Sequence, residues 1–241
     1  MGRFGLARVM SKRGWCSRSQ AVDLIKSGLV RCEGRLVRDP ESRTALDANI
    51  EIAERSQAEV LRRYLMLNKP RGLVVTAADE RARETVYSCF SGANLPWVAP
   101  VGRLDQASEG LLLFSNDSEW SADLLNPETH LSKRYHVQID TRLTPEALSE
   151  LRLGVSDQGE HLYAERICEL RFGTRNSWLE FELTMGKNRQ IRRMLKACGA
   201  QTLRLVRVAI GALELGELGK GAWRELLPQE VAQLRAPSQA A

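Results

Sequence analysis

Four consecutive apolar residues, Leu111 to Phe114, follow a glycine and are closed by Asn116-Asp117, a run too short for a helix and too apolar for a half-exposed strand. The chain therefore has to bury this segment as a strand on both sides. Directly ahead of it, Gly102-Arg103-Leu104-Asp105-Gln106-Ala107-Ser108-Glu109-Gly110 sets an arginine and a carboxylate between two glycines. Asp105 is thus expected on a turn beside the core. A carboxylate there has to be hydrogen-bonded, paired with a cation or kept in a cleft, because burying it alone costs too much. Taken locally, it reads first as a turn-former that caps its neighbours. Only the rest of the chain shifts that reading.

Charge is the next constraint. The 241 residues carry a net charge of +5, but it is concentrated in two blocks. Residues 1–43 hold ten Lys and Arg against four acids, and residues 187–207 hold seven against none. Two separated basic surfaces on an otherwise acidic chain suit an extended polyanion, with nucleic acid the commonest. Either block alone would read as a solvated charged face. The five cysteines are odd in number, widely spaced and without a Cys-x-x-Cys pair, so they are expected as reduced thiols. The three histidines lack metal-ligand spacing, and no nucleotide-binding glycine fingerprint occurs. The expectation is a chain with no metal. With no secretory leader and no apolar run of spanning length, it is also expected to be soluble, cytoplasmic and without membrane contact.

In chain order, residues 1–52 read as a small unit. Leu6, Val9 and Met10 fall at helical spacing, Ser17 and Gln20 form a capping box for a second helix, and Val30 to Val37 reads as a hairpin turning at Glu33-Gly34. Arg18, Lys26, Arg31 and Arg35 make this unit a basic surface. It resembles the small RNA-binding module first seen in ribosomal small-subunit protein S-four. Residues 53–63, rich in Glu, Arg and Gln, are expected as a linker, 64–235 as the second domain and 236–241 as a flexible tail.

In the second domain, Tyr64 to Leu67 and Leu73 to Thr76 read as strands around a turn that presents Lys69 and Arg71. Lys133 to Ile139 alternates, with Tyr135, Val137 and Ile139 on the core side. Ile191, Met194, Leu195 and Cys198 form the apolar stripe of a helix. Arg189 and Arg193 face away from that stripe toward water or phosphate, as does Lys196, and Lys187 precedes it. Arg192 falls on the border, where a guanidinium can lie in a cleft and meet Asp105.

Five segments in order, Asn68 to Gly72, Gly102 to Leu112, Lys133 to Tyr135, Gly186 to Met194 and Leu203 to Arg207, are similar to motifs of the RsuA-type family of ribosomal RNA pseudouridine synthases. Ser108 stands where that family usually has threonine, and both carry a hydroxyl. The resemblance implies an α+β fold, a mostly antiparallel mixed sheet with flanking helices. It implies isomerisation of a uridine in ribosomal RNA, with a lean toward the large subunit, by a monomer without metal or cofactor. It also implies Asp105 as the essential aspartate, Tyr135 packed on the target base, Arg192 paired with Asp105, and Arg103 entering the gap left by a flipped base. The rival is an RNA-binding or ribosome-associated protein that uses both basic surfaces and does no chemistry. A glycosidase would need a second carboxylate, for which Glu109 is the nearest candidate.

Overall fold

The computed structural model describes residues 2–53, 61–77 and 79–235. The expected tail, 236–241, and most of the expected linker, 54–60, lie outside the described residues.

The N-terminal unit runs β1 (Arg3–Gly5), α1 (Leu6–Lys12), α2 (Arg18–Lys26), β2 (Val30–Cys32), β3 (Arg35–Leu36), β4 (Arg43–Ala45) and β5 (Ile50–Ile52). Ser17 and Gln20 close the capping box in both directions, at 3.1 and 3.0 Å, which fixes where α2 begins. Leu6, Val9 and Met10 of α1 meet Ile25, Val30 and Ile50 in a core of their own. Two small sheets, β1-β4 and β3-β2-β5, complete it.

The second unit is built on one large sheet. Its elements are β6 (Tyr64–Lys69), β7 (Ala99–Val101), β8 (Glu109–Ser115), α3 (Ser118–Leu125), β9 (Lys133–Ile139), α4 (Pro145–Leu153), β10 (Val155–Asp157), β11 (Glu160–Leu162), β12 (Arg166–Phe172), β13 (Ser177–Leu183), α5 (Gln190–Ala197), β14 (Thr202–Ile210), β15 (Leu213–Glu214), β16 (Trp223–Glu225) and α6 (Pro228–Arg235). The main path is β12-β13-β9-β14-β8-β6-β16, with β7 beside β8 and β15 beside β14. Only the β14-β8 pairing among these is parallel. The domain is α+β, as the sequence implies.

The apolar run of β8 has the expected cause. Leu111 and Leu113 pack with Trp120 and Leu124 of α3, while Leu112 and Phe114 pack with Leu104, Val86 and Val98. A strand covered on both faces has no room for alternation. Where β8 starts, Gly110 takes φ +101° between the β6 and β14 strands. A side chain there would collide with the Arg207 backbone, 2.8 Å from its nitrogen and nearer still to its carbonyl oxygen.

One local expectation fails, and two elements were not foreseen. Leu73 to Thr76 is not a strand: Gly72, at φ +102°, turns the chain off the sheet, and Val74 makes only an isolated bridge to Thr85. The hairpin β10-β11 and helix α6 carry too little apolar periodicity to be read beforehand. α6 is held by Leu234 and Val231 packing on the cluster of Trp120 and Leu124, and by polar contacts, with Arg224 bidentate on Glu230 at 2.7 Å and Glu230 accepting from Leu227 N.

Candidate active site

Asp105 lies between β7 and β8 on a turn closed by the hydrogen bond from Ser108 N to its own carbonyl at 2.9 Å. Leu104, 6% exposed, is driven into the cluster beneath β8, so the next side chain is half-buried at the edge of that core. Tyr135 comes from the middle of β9, and Arg192 from the first turn of α5. All three line one cavity of about 140 Å³, together with Leu205 and Ile191 as apolar wall and Arg103 at its rim. Tyr135 is half-buried and packs against both flanking cores, so the core-tyrosine reading and the site reading describe the same residue.

Arg192 does not close an ion pair with Asp105. Its Nη2 donates to the carbonyl of Ala107 at 3.2 Å and lies 3.5 Å from Ser108 Oγ, two and three residues past Asp105 on the same turn. Burial, then the charge of Arg189, hold the Arg192 guanidinium below its ordinary value, while Asp105 acts in the opposite direction through space. Its buried Nε has no hydrogen-bond partner.

Lys69 is a correction of a different kind. Expected as a cation presented to RNA by a turn, it is fully enclosed at the end of β6. Its Nζ donates to the carbonyls of Ser108 at 2.8 Å and Pro70 at 3.0 Å, with Gln106 O at 3.5 Å. Burial pushes its pKa down to about 8 against the pull of Glu109 and Asp105. The strand simply runs two residues further than its apolar part, and β6 carries Lys69 in with it.

Glu109, the candidate second carboxylate, is 3% exposed and locked. Burial would raise its pKa, but Arg204 gripping both oxygens at 2.9 Å and Lys220 at 2.9 Å hold it down at about 2. It neither shares the cavity of Asp105 nor has a free oxygen for proton transfer, which removes the glycosidase arrangement.

The remaining basic residues divide. Arg71, Arg103, Arg189 and Arg81 line a groove of about 930 Å³ that includes Asp105, with Asp79 and Glu80 also on its wall and Arg83 paired with Asp79 at 2.7 Å. Lys187 borders the 140 Å³ cavity but leans on His161 O at 3.1 Å and Glu160 at 3.8 Å. Arg193 does not face the groove. It is held by Asp157 and Glu160 of the β10-β11 hairpin, an element the helical wheel could not anticipate. In the N-terminal unit Lys26, Arg31 and Arg35 are exposed, and Arg18 is exposed in a pair with Glu41 at 3.2 Å. Lys133 and Arg207, which sequence reasoning passed over, both border the tyrosine from its other side. The signal was there in the alternation, since Lys133 stands two residues before Tyr135 and Arg207 two after Leu205.

Residues 63–197 match the sequence profile of the RNA pseudouridylate synthases, and residues 4–44 that of the S4 domain. The chain is 33% identical over 238 residues to the ribosomal large subunit pseudouridine synthase B of Bacillus subtilis (strain 168), covering 96% of this chain and 95% of that protein. It is 32% identical over 230 residues to an uncharacterized RNA pseudouridine synthase of Aquifex aeolicus (strain VF5), covering 94% and 92%. Among solved structures, a pseudouridylate synthase crystal structure superposes with a TM-score of 0.67 at 25% identity, covering 96% of this chain and 99% of that one.

Proposed function

Because this chain belongs to the RNA pseudouridylate synthase family and is therefore an RNA uridine isomerase, we propose that it converts one specific uridine of large-subunit ribosomal RNA to pseudouridine, with Asp105 as the catalytic group. The observation that supports this most is the convergence of Asp105, Tyr135 and Arg192, from three separate elements, on one cavity that opens beside a groove lined with arginines. The large-subunit choice rests on the full-length similarity to the Bacillus subtilis protein.

In this reading the target base leaves its stack and enters the 140 Å³ cavity, where it packs on the Tyr135 ring, with Leu205 and Ile191 completing the apolar wall. Arg103, exposed and common to the groove and the cavity, fills the space the base vacates. The bond between the ribose C1′ and N1 breaks, the uracil turns, and C1′ bonds to C5. The C5 proton is lost and N1 gains one, so atoms balance with no redox step. Asp105 acts on the base or at the sugar, in either case as the one carboxylate among the described residues that line the cavity. Lys69 and Arg192 flank it with positive charge and hold the turn that carries it. The S4 domain, with Lys26, Arg31 and Arg35 exposed, adds affinity for RNA.

The test is pseudouridine mapping of ribosomal RNA from cells with and without this protein, and again with Asp105→Asn restored to the cells lacking it. One large-subunit position should lose its pseudouridine without the protein, and the variant should bind ribosomal RNA without restoring the mark. Modification by the Asn variant would remove Asp105 from the chemistry, and a change confined to small-subunit RNA would overturn the substrate.

A further inference from the structure

Across β9 and β14, Tyr135 pairs with Arg207 and Lys133 with Ile210. All four line a second cavity, of about 440 Å³, which Tyr135 shares with the first and which Asp105 does not line. Tyr135, Arg103, Gly186 and Lys187 are common to both cavities, so the second one begins where the target-base cavity ends. Its makeup differs sharply from that of the first. Leu124, Leu125, Pro127, Leu131 and Ile210 supply an apolar wall, and no acidic side chain among the described residues lines it.

The cations in it are poorly compensated. Arg207 is 7% exposed; its Nε donates to Leu111 O at 2.7 Å, but its buried Nη2 has no partner. Among the described residues Lys133 donates only to the carbonyl of Thr184, at 3.2 Å. Burial, and then the charge of Arg207, hold the Lys133 pKa below its ordinary value. A buried Arg207 and a half-buried Lys133 that line one cavity, with no carboxylate among the described residues there, are costly unless an anion joins them. Lys187 does not compensate them, since it leans on Glu160 and carries the same sign.

An anion with an apolar body, next to a base-sized cavity in an RNA enzyme, describes a nucleotide. We propose that this cavity binds the nucleotide adjoining the target uridine, its phosphate against Arg207 and Lys133 and its base against the apolar wall. Tyr135 then separates two neighbouring bases, the target on one side and its neighbour on the other, which registers the RNA along the cleft. The proposal deepens the function given above and rests on it for the identity of the RNA. Shape and charge at this cavity would then contribute to the choice of site without touching the reacting atoms.

The test uses the full chain and a nine-nucleotide single-stranded RNA with one central uridine. The same RNA is also made with a neutral methylphosphonate in place of the phosphate 5′ or 3′ of that uridine, and binding is read by fluorescence anisotropy at fixed salt. The neutral linkage on one side should weaken wild-type binding about tenfold, and on the other side less than about twofold beyond what the loss of one charge causes anywhere along the strand. Lys133→Met, which relieves a half-buried charge, should bind the normal RNA about tenfold more weakly and show no further loss with the neutral linkage. Leu125→Glu, at an exposed position on the cavity wall, should weaken the normal RNA more than the neutral one. Equal penalties on both sides, or a Lys133→Met protein that binds normal RNA like wild type or keeps the full linkage penalty, would overturn the proposal. Pseudouridine formation by the wild-type protein is scored separately on ribosomal RNA, so that a failed function and a failed subsite give different results.

Discussion

The ammonium of Lys69 lies 2.8 Å from the carbonyl oxygen of Ser108, in a site without solvent exposure, so the turn that bears Asp105 is pinned from behind by a buried cation. The carbonyls of Pro70 and Gln106 also point at this nitrogen. A charge set among carbonyl dipoles keeps the turn in one conformation, at a cost in desolvation that its lowered pKa records.

Replacing Lys69 with Met should therefore separate position from stability. The turn loses its anchor, and a displacement of Asp105 of about 1 Å is enough for a loss of the order of a hundredfold in kcat, with KM changed much less. Stability should move the other way with pH. The folded pKa, about 8, lies below the ordinary 10.5, so the unfolded chain binds more protons between them and wild type gains stability as pH rises through that window. The Met variant has no such gain. Urea midpoints at pH 7 and pH 10 should show the wild type improving relative to the variant by on the order of 1–2 kcal/mol, after discounting for solvent in the neighbouring groove. A difference independent of pH would mean that the fold does not lower the pKa of Lys69.

Arg192→Lys tests the second support of the same turn. A lysine keeps the charge but has neither the planar fork that reaches Ala107 O and Ser108 Oγ nor an equivalent of the unpartnered Nε. Single-turnover rates should fall by roughly tenfold to a hundredfold, with the Kd for ribosomal RNA within about threefold of wild type. If Kd weakens by as much as the rate falls, Arg192 is an RNA contact and not a positioning residue.

Much of this was legible in the sequence, for reasons that differ from place to place. β8 was readable because both of its faces are covered, leaving no polar position to confuse the pattern. Tyr135 was readable from strand alternation, and the start of α2 from Ser17 and Gln20. What escaped were outcomes decided by distant partners. Nothing local says that Lys69 will be buried, since the carbonyls that accept its protons come mostly from a turn 37 to 39 residues away. Arg193 reads as solvent-facing until the β10-β11 hairpin, too short and polar to be foreseen, brings Asp157 and Glu160 to it. The pairing assigned to Arg192 and Asp105 is replaced by a bond from Arg192 to the Ala107 carbonyl of the same turn, a choice of partner no helical wheel resolves.

Gly110→Ala asks whether the site depends on the close approach of β8 to β14. Alanine there meets both an unfavourable φ of +101° and the Arg207 backbone, which cannot yield without moving the strand. Strain and overpacking together should cost about 3 kcal/mol or more. Since Lys69 and Arg207 are the two cross-strand neighbours of Gly110, any protein that still folds should lose activity beyond its loss of stability. Thermal unfolding alongside the rate at a temperature where the variant is fully folded makes the comparison. A folded variant with wild-type rate would show that this contact serves stability alone.

Arg189 and Arg193 provide the sharpest test of which part of the second basic block meets RNA. The two are four residues apart at the start of α5 and carry the same charge, so composition treats them alike. Arg189 is exposed, in the left-handed region at φ 49°, and borders both the groove and the target cavity. Arg193 spends its guanidinium on Asp157 and Glu160. Each lysine or arginine that neutralises a phosphate of single-stranded RNA contributes about 0.7 to the slope of log K against log salt. Arg189→Ala should therefore lower the slope by about that amount, while Arg193→Ala should leave it unchanged and instead lower the melting temperature by loosening the hairpin from α5. Equal slope changes in the two variants would mean that Arg193 leaves its carboxylates when RNA binds, and that the ion pairs of the free protein are exchanged for phosphate contacts.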